Sequence, residues 1–196
     1  MKVIHVVPQL SEPPMALTIG NFDGVHRGHQ AMISILREAA RRRNLPAGVL
    51  TFEPHAKEFF HPRKGPHRLT DVTEKAVLLE DLGVDSLYVC AFNAHMAKMP
   101  AELFVQHVLV TQLRVRWLLV GDDFRFGAER RGDLALLREC GRAFGFEVET
   151  MPTLCIDRER VSSTAVREAL AQGNTAKVAT LLGRPHLLPA ESVNPF

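Results

Sequence analysis

The stretch Ile19–Gln30, IGNFDGVHRGHQ, decides the fold that this sequence predicts. It joins a short hydrophobic strand, Ala16–Ile19, to a helical pattern that begins at Gly28. Between them lie glycines, an Asp-Gly pair and two histidines three positions apart, His26 and His29. The point where a strand becomes a helix therefore combines a flexible turn with two hydrogen-bonding imidazoles.

Strands and helices alternate along the rest of the chain. Short apolar runs predict four further strands, at Gly48–Phe52, Ser86–Ala91, Trp117–Val120 and Glu147–Met151. Helical patterns are found at Gly28–Arg43, Asp71–Leu82 with Thr70 as N-cap, Pro100–Val110, Gly132–Phe144, Thr164–Ala171 and Thr175–Leu182. This order predicts an α/β fold, a parallel sheet with right-handed crossovers and helices on both faces. Such sheets bind ligands at the carboxyl ends of their strands, where Ile19–Gln30 lies.

Composition and charge are those of an ordinary globular domain. The 196 residues are 46% hydrophobic and 23% charged, with a net charge of +2. The one basic cluster, Arg41–Arg43, fits a solvated helix end, so we predict no nucleic-acid partner. Three widely spaced cysteines form neither a disulfide nor a zinc pattern, which predicts a cytoplasmic location. No apolar run approaches the roughly 18 residues of a membrane span, so we predict no membrane partner.

The residues of the first junction suit a phosphate ligand. Gly20, Gly24 and Gly28 would let the backbone approach a ligand, and the helix start presents free amides and a positive dipole end. His26 and His29 can share one face of the first turn and stabilise charge that grows on an attacked phosphorus centre. The glycine spacing matches neither a Walker loop nor the dinucleotide fingerprint. A structural role for the histidines, or a metal site without a clear third ligand, remains an alternative.

A second stretch, VGDDFRFGAERRGD at Val120–Asp133, also follows a strand and belongs to the same sheet edge. Asp123 is a hydrogen-bond acceptor there. Phe124 and Phe126 alternate with polar residues, so we do not expect both to face the core. One of them is a candidate to stack on a planar ring, although both could simply anchor the loop.

A third stretch, RERVSSTAVRE at Arg158–Glu168, places hydroxyl groups before a helical run. Three hydroxyl side chains and two arginines surround this helix start: Ser162, Ser163, Thr164, Arg160 and Arg167. The hydroxyl groups would cap the helix in any case. With the guanidinium groups they form a second candidate anion site. Two such helix starts at one sheet edge suit a substrate with several phosphates, such as a nucleoside triphosphate.

These motifs resemble a known family. H-x-G-H after the first strand and S-S-T-x-V-R late in the chain are similar to the nucleotidyltransferase superfamily. The fuller forms GNFDGVHRGH, TFEPHAKEFF, VGDDFRFG and RVSSTAVR closely resemble the FMN adenylyltransferase (FAD synthetase) module of bacterial bifunctional riboflavin kinase/FAD synthetases. The resemblance runs from Met15 to Pro185 and implies a Rossmann-like nucleotidyltransferase domain at residues 1–186.

The resemblance implies an enzyme that converts FMN and ATP to FAD and pyrophosphate with Mg²⁺. His26 and His29 would hold the ATP phosphates through the transition state, and Arg160 would contact the triphosphate. Asp123, where the family often has asparagine, would help to bind substrate and metal. Nucleotide contacts are implied for Gly20, Asn21, Phe22, Gly24, Ser162, Ser163, Thr164 and Arg167. Flavin contacts are implied for Phe60, Phe104 and Phe126.

The chain departs from the family pattern in two places. The family commonly reads P-H-P after the second strand, and Ala56 in PHAKEFF would loosen a loop that proline stiffens. After Gly183–His186 the bifunctional proteins continue into a riboflavin kinase barrel, whereas this chain continues only with the tail Leu187–Phe196. We therefore expect adenylylation of FMN without phosphorylation of riboflavin, and a separate riboflavin kinase as a partner. Both a stand-alone enzyme and a piece of a longer protein are compatible with the sequence.

Two other functions remain open at this point. The chain could be a nucleotidyltransferase that acts on another phosphorylated acceptor. It could also be a non-catalytic regulator that binds flavin or nucleotide. The polar members of all four motifs are present, which favours an enzyme.

Overall fold

A computed structural model describes residues 1–6, 11–63 and 65–185, so the predicted tail Leu187–Phe196 lies outside the described residues. Within this part, six strands form one parallel sheet in the order β1-β4-β3-β2-β5-β6. Their bounds are β1 Lys2–Val6, β2 Met15–Ile19, β3 Ala47–Glu53, β4 Ser86–Ala91, β5 Val115–Gly121 and β6 Glu147–Met151. From β4 to β6 this is the strand order of a Rossmann sheet, which confirms the predicted fold class. A small antiparallel pair follows, β7 Cys155–Ile156 and β8 Glu159–Arg160.

Helices connect the strands and cover the sheet. Their bounds are α1 Arg27–Arg43, α2 Ala56–Phe60, α3 Val72–Asp81, α4 Ala94–Lys98, α5 Ala101–Leu103, α6 Leu134–Phe144, α7 Ser163–Ala171 and α8 Thr175–Leu182. A π-helix, Phe104–Gln112, continues α5, and a 3₁₀ turn lies at Ala128–Arg130. None of the helices in the described ranges is both long and apolar enough to cross a membrane.

The core lies on both faces of the sheet. Every residue of β2 is buried, and its alternate side chains point to opposite faces. Met15 and Leu17 pack in the same cluster as Val105 of the π-helix, whereas Ala16 packs in the cluster that holds Leu36 of α1. Helices on both faces explain why the central strands read as continuous apolar runs in the sequence.

The strand β1 was not predicted. It pairs in parallel with β4 at one edge of the sheet. Its residues are exposed or only partly buried, and His5 interrupts its apolar residues Val3, Ile4 and Val6. These β-branched residues favour a strand, so the sequence carried a signal that the prediction did not use.

The predicted N-cap at Thr70 is wrong. Asp71 caps α3, because its side chain accepts a hydrogen bond from the Glu74 amide at 2.8 Å while the Glu74 carboxylate accepts one from the Asp71 amide at 3.1 Å. The Thr70 hydroxyl instead accepts a hydrogen bond from the Gly24 amide at 2.9 Å. Thr70 therefore holds the turn after β2 in place of capping its own helix.

Two other local predictions need correction. The helix predicted from Pro100 begins at Ala101 but continues as a π-helix from Phe104, whose wider turns a 3.6-residue periodicity does not reveal. Ala56 does not lie in a loose loop. It is the first residue of α2, where the His55 imidazole accepts a hydrogen bond from the Lys57 amide at 2.9 Å and caps the helix.

Candidate active site

The site lies where the strand order reverses. β2 and β5 are neighbours at the centre of the sheet. The strand that follows β2 in the chain, β3, lies on one side of this pair, and the strand that follows β5, β6, lies on the other. A cleft of about 310 Å³ opens beyond their carboxyl ends. The predicted catalytic residues His26, His29, Asp123 and Arg160 line it. So do the predicted nucleotide contacts Gly20, Asn21, Phe22, Ser162, Ser163, Thr164 and Arg167.

The first wall of the cleft is the turn between β2 and α1. Phe22 and Val25 have φ angles of 50° and 40°, and Gly24 has 77°, so the left-handed region is used repeatedly in four residues. This conformation brings the chain to His26, which caps α1: its Nδ1 accepts a hydrogen bond from the His29 amide at 3.3 Å. Gly24 itself lies behind the cleft lining, at the Thr70 hydroxyl.

The two imidazole rings are stacked. Their centroids are 3.6 Å apart with an interplanar angle of 16°, and the Phe22 ring lies 4.8 Å from His29. Burial lowers the pKa of His26 to about 4, with a smaller lowering by the charge of Arg160. Burial also lowers the pKa of His29, as do the charge that His26 would carry when protonated and the charge of Lys75. Both rings are therefore neutral near pH 7.

Neutral imidazoles each donate one hydrogen bond. Since Nδ1 of His26 accepts from the backbone, its proton lies on Nε2. Nδ1 of His29 is buried and meets no hydrogen-bond partner among the described residues. The arrangement can donate hydrogen bonds to an anion at the start of α1 without adding a positive charge to the cleft.

His26 should make stability depend on pH. Its pKa rises from about 4 in the folded chain to 6.5 after unfolding. Between these two pKa values the unfolded chain binds a proton at His26 that the folded chain does not bind. The contribution of His26 to the free energy of unfolding is therefore complete above about pH 6.5 and is lost as the pH falls toward about 4. His26 alone should contribute a loss of about 3 kcal/mol.

The variant His26→Asn tests this pH dependence. Asparagine keeps a capping acceptor for α1 but does not titrate. Urea unfolding between about pH 7 and about pH 4 should show a smaller loss of stability in this variant than in the wild type. The control His107→Asn changes an exposed residue and should retain the wild-type slope. Equal slopes in His26→Asn and wild type would contradict the assignment.

Asp23 joins the two walls of the cleft. Its carboxylate accepts hydrogen bonds from the amides of Leu69 at 2.9 Å and Thr70 at 3.0 Å and pairs with the Arg167 guanidinium. Its backbone carbonyl accepts a hydrogen bond from the Ser163 hydroxyl at 2.9 Å. Sequence reasoning missed this residue, because an Asp-Gly pair indicates a turn whatever the carboxylate contacts.

The second wall is formed by β8 and the start of α7. The Ser162 hydroxyl accepts a hydrogen bond from the Ala165 amide at 3.1 Å and caps α7, so the capping alternative for this residue is confirmed. The Ser163 hydroxyl already donates to Asp23. Of the three predicted hydroxyl contacts, Thr164 is the one on the cleft wall that neither caps the helix nor joins the walls.

Arg160 and Asp123 face each other across the cleft mouth. Their side chains form an ion pair of 2.6 Å, and both are more than half exposed. Such an exposed pair contributes little stability, so it can open when an anionic ligand binds Arg160.

The residues of the cleft supply only some of the ligands that a Mg²⁺ ion needs. This ion is commonly bound by one or two carboxylates together with substrate phosphates. The exposed Asp123 carboxylate on the cleft wall fits that role once it leaves Arg160. Within residues 1–6, 11–63 and 65–185 there is no group of three or more His, Cys, Asp or Glu side chains able to hold a metal ion.

The predicted flavin residues lie outside the cleft lining. Phe104 and Phe126 are buried in the core, at 3% and 8% exposure, whereas Phe60 is 58% exposed. They belong to an aromatic cluster of successive ring contacts, Phe60, Phe92, Phe52, Phe104, Phe126 and Phe124, with centroids between 5.5 and 6.1 Å apart. Of these, Phe124 lines the cleft. The expectation that Phe124 and Phe126 would not both face the core is wrong. Phe124 is partly buried, packs against the core cluster that holds Phe126 and stacks on its ring at 5.5 Å, as the loop-anchoring alternative described.

Comparison with known proteins identifies the family to which the chain belongs. The FAD synthetase family model matches residues 9–165. A bifunctional riboflavin kinase/FMN adenylyltransferase of Escherichia coli K12 is 46% identical over 99% of this chain and 63% of its own length. The chain thus spans less than two thirds of this relative.

Solved structures share the fold. The crystal structure of a macrolide-efflux protein from Streptococcus pneumoniae matches with a TM-score of 0.80 and 26% identity, over 95% of this chain and 63% of that one. Pantothenate synthetase from Thermus thermophilus matches with a TM-score of 0.51 and 19% identity, over 92% of this chain and 80% of that one. The second likeness concerns the fold alone.

Proposed function

The chain belongs to the FAD synthetase family, and on that premise we propose that it transfers the adenylyl group of ATP to FMN, giving FAD and pyrophosphate. The observation that carries the proposal is the cleft at the strand-order reversal. Two neutral histidines at the start of α1 face the arginines and helix start of α7 across it. The cleft thus offers anion-binding groups on two sides, as a triphosphate requires.

In this reaction an oxygen of the FMN phosphate attacks the α-phosphorus of ATP. The bond from that phosphorus to the oxygen bridging to the β-phosphate breaks, and pyrophosphate leaves with its electron pair. No covalent enzyme intermediate is needed. His26 and His29 would donate hydrogen bonds to the phosphate oxygens as charge moves, and Arg160 would hold the leaving pyrophosphate. Catalysis then consists of positioning and charge stabilisation.

We include Mg²⁺ in the proposal because the Asp123 carboxylate lines the cleft and could bind it. When bound to the substrate phosphates, the ion would neutralise part of their charge, with the Asp123 carboxylate as its protein ligand. Arg160 would then be released from Asp123 and be free to contact the triphosphate. We propose the other nucleotide contacts because they line the same cleft: Gly20, Asn21, Phe22, Ser162, Ser163, Thr164 and Arg167. Gly24 lies behind that lining, so its contact with the nucleotide stays a prediction.

The flavin site is proposed beside the aromatic cluster. Phe60 at one end of the cluster is exposed, and Phe124 at the other end is partly buried and lines the cleft. Phe104 and Phe126 would support them from the core, so their role as direct covers of the flavin stays a prediction.

The expected separate riboflavin kinase is not supported, because the relative's name joins both activities in one protein. Cys90, Cys140 and Cys155 are free in the structure. The cytoplasmic location stays a prediction.

The experiment supplies FMN, ATP and Mg²⁺ and follows flavin fluorescence, which falls when FMN becomes FAD. Chromatography should show FAD and pyrophosphate in equal amounts. Binding of FMN and ATP without release of pyrophosphate would contradict the proposal and favour a regulator. Pyrophosphate released only with another phosphorylated acceptor would also contradict it and favour a different nucleotidyltransferase.

Arg160 offers a prediction specific to ATP. In Arg160→Lys the KM for ATP should rise about 10-fold, because an ammonium cannot grip two phosphate oxygens as a guanidinium does. The KM for FMN should change much less. The matched control is Arg142→Lys, an exposed arginine of α6 on the opposite sheet edge. Unchanged ATP dependence in Arg160→Lys would remove this residue from the triphosphate site.

A further inference from the structure

The turn that leads into the histidines is held in an uncommon conformation. Val25 is β-branched, yet its φ is 40°, a region that such residues rarely adopt. Phe22, with φ of 50°, shares the left-handed region. Residues in sparsely populated regions persist only where surrounding contacts fix them. The turn Phe22–Val25 therefore needs an external support, and His26 follows it directly.

The Thr70 hydroxyl accepts from the Gly24 amide and the Ser163 hydroxyl donates to the Asp23 carbonyl, and two further side chains support the turn. The Arg184 guanidinium donates hydrogen bonds to the carbonyls of Gly24 at 2.7 Å and Val25 at 3.2 Å. The Gln30 amide donates to the Val25 carbonyl at 2.9 Å and to the Leu182 carbonyl at 2.7 Å. Together they connect the turn to the end of α8.

Arg184 is directed at backbone carbonyls and not at an acid. Its side chain is partly buried, and none of the ion pairs found within the described ranges includes it. Burial also lowers its pKa, which reflects a charge taken partly out of water. The charge of Glu74 also acts on this guanidinium, but its hydrogen bonds go to the turn before His26. Partial burial of a charge is costly, and these hydrogen bonds to the turn offset that cost.

We infer that Arg184, assisted by Gln30, is a positioning residue that fixes the turn Phe22–Val25 and thereby sets the place of the His26 and His29 rings. This inference deepens the proposed adenylyl transfer, on which its kinetic part rests. Arg184 touches neither ring and acts through the backbone of residues 24 and 25. It also lies beyond residues 9–165, where the family model matches.

The test compares Arg184→Met with Arg184→Lys. Because misplacing a catalytic group by about 1 Å can cost about 10²-fold, kcat of Arg184→Met should fall by about 10- to 100-fold. The KM values for ATP and FMN should change by less than about 3-fold, since the groups on α7 remain in place. Lysine can reach one of the two carbonyls, so Arg184→Lys should recover part of kcat. Arg142→Met serves as the matched control.

NMR of histidine-labelled protein without substrate gives the second readout. The ring signals of His26 and His29 should shift in Arg184→Met and stay in place in Arg142→Met. If Arg184→Met does not fold, Gln30→Met replaces it with the same expected shift of the ring signals, and Arg184→Lys should show a smaller shift.

Two results would overturn the inference. One is wild-type kcat in Arg184→Met. The other is a loss of kcat with unmoved ring signals. A wild-type protein that makes no FAD would refute the proposed function, and the NMR comparison would still decide whether Arg184 positions the rings.

Discussion

Turnover is expected to fall by about 10²–10³-fold when His29 is replaced by alanine, the cost of removing one preorganised donor from a site where charge develops. His29 lines the cleft at the first turn of α1 and is stacked on His26 at 3.6 Å. The affinity for FMN should change little, because the flavin is proposed to bind beside the aromatic cluster, whose cleft residue Phe124 follows β5 and not β2. Steady-state kinetics with FMN titration would separate the two effects.

The control for this variant is His107→Ala, which changes an exposed histidine of the π-helix. It should retain wild-type turnover. Near-normal turnover in His29→Ala would show that the rings have a structural role only. A rise in the KM for FMN as large as the fall in kcat would move His29 from the phosphates to the flavin.

Replacing Asp23 with alanine should lower the free energy of unfolding by about 3–5 kcal/mol, as expected when one partner of a buried ion pair is removed. The side chains of Asp23 and Arg167 are only 11% and 21% exposed. The change leaves the Arg167 charge unpaired and removes the acceptor of the Leu69 and Thr70 amides. Urea unfolding would measure the loss.

Two further variants separate these contributions. Asp23→Asn retains an acceptor for the amides and should lose less stability than Asp23→Ala. The double variant Asp23→Ala/Arg167→Met should lose less stability than the sum of the losses in Asp23→Ala and Arg167→Met, because it leaves no buried charge unpaired. Strict additivity would show that the pair does not couple the two walls.

Much of the fold is readable from the sequence because its central strands are buried on both faces. Strands β2 to β6 were all predicted, because each reads in the sequence as a short strand pattern that a helical pattern follows. The π-helix was not recognised, because its wider turn leaves no 3.6-residue periodicity. The edge strand was missed although its β-branched residues Val3, Ile4 and Val6 favour a strand.

The site is readable only in part. Glycines and histidines at a strand end, and hydroxyl groups at a helix start, identify two walls at one sheet edge. The sequence does not reveal that the His26 and His29 rings are stacked and neutral, since their pKa values depend on burial. Nor does it reveal that Asp23 reaches Arg167, because that contact depends on tertiary structure.

The contact between Asp23 and Arg167 spans 144 positions, and β2 lies beside β5, which follows it in the chain only after β3 and β4. Contacts of such long range cannot form until the intervening segments have been synthesised and have closed their loops. The cleft is therefore among the last features of the domain to be completed as the chain emerges. A nascent chain that ends before α7 can build most of its sheet and still lack half of its anion-binding groups. Acquisition of nucleotide affinity during synthesis would then mark the moment at which the cleft is complete.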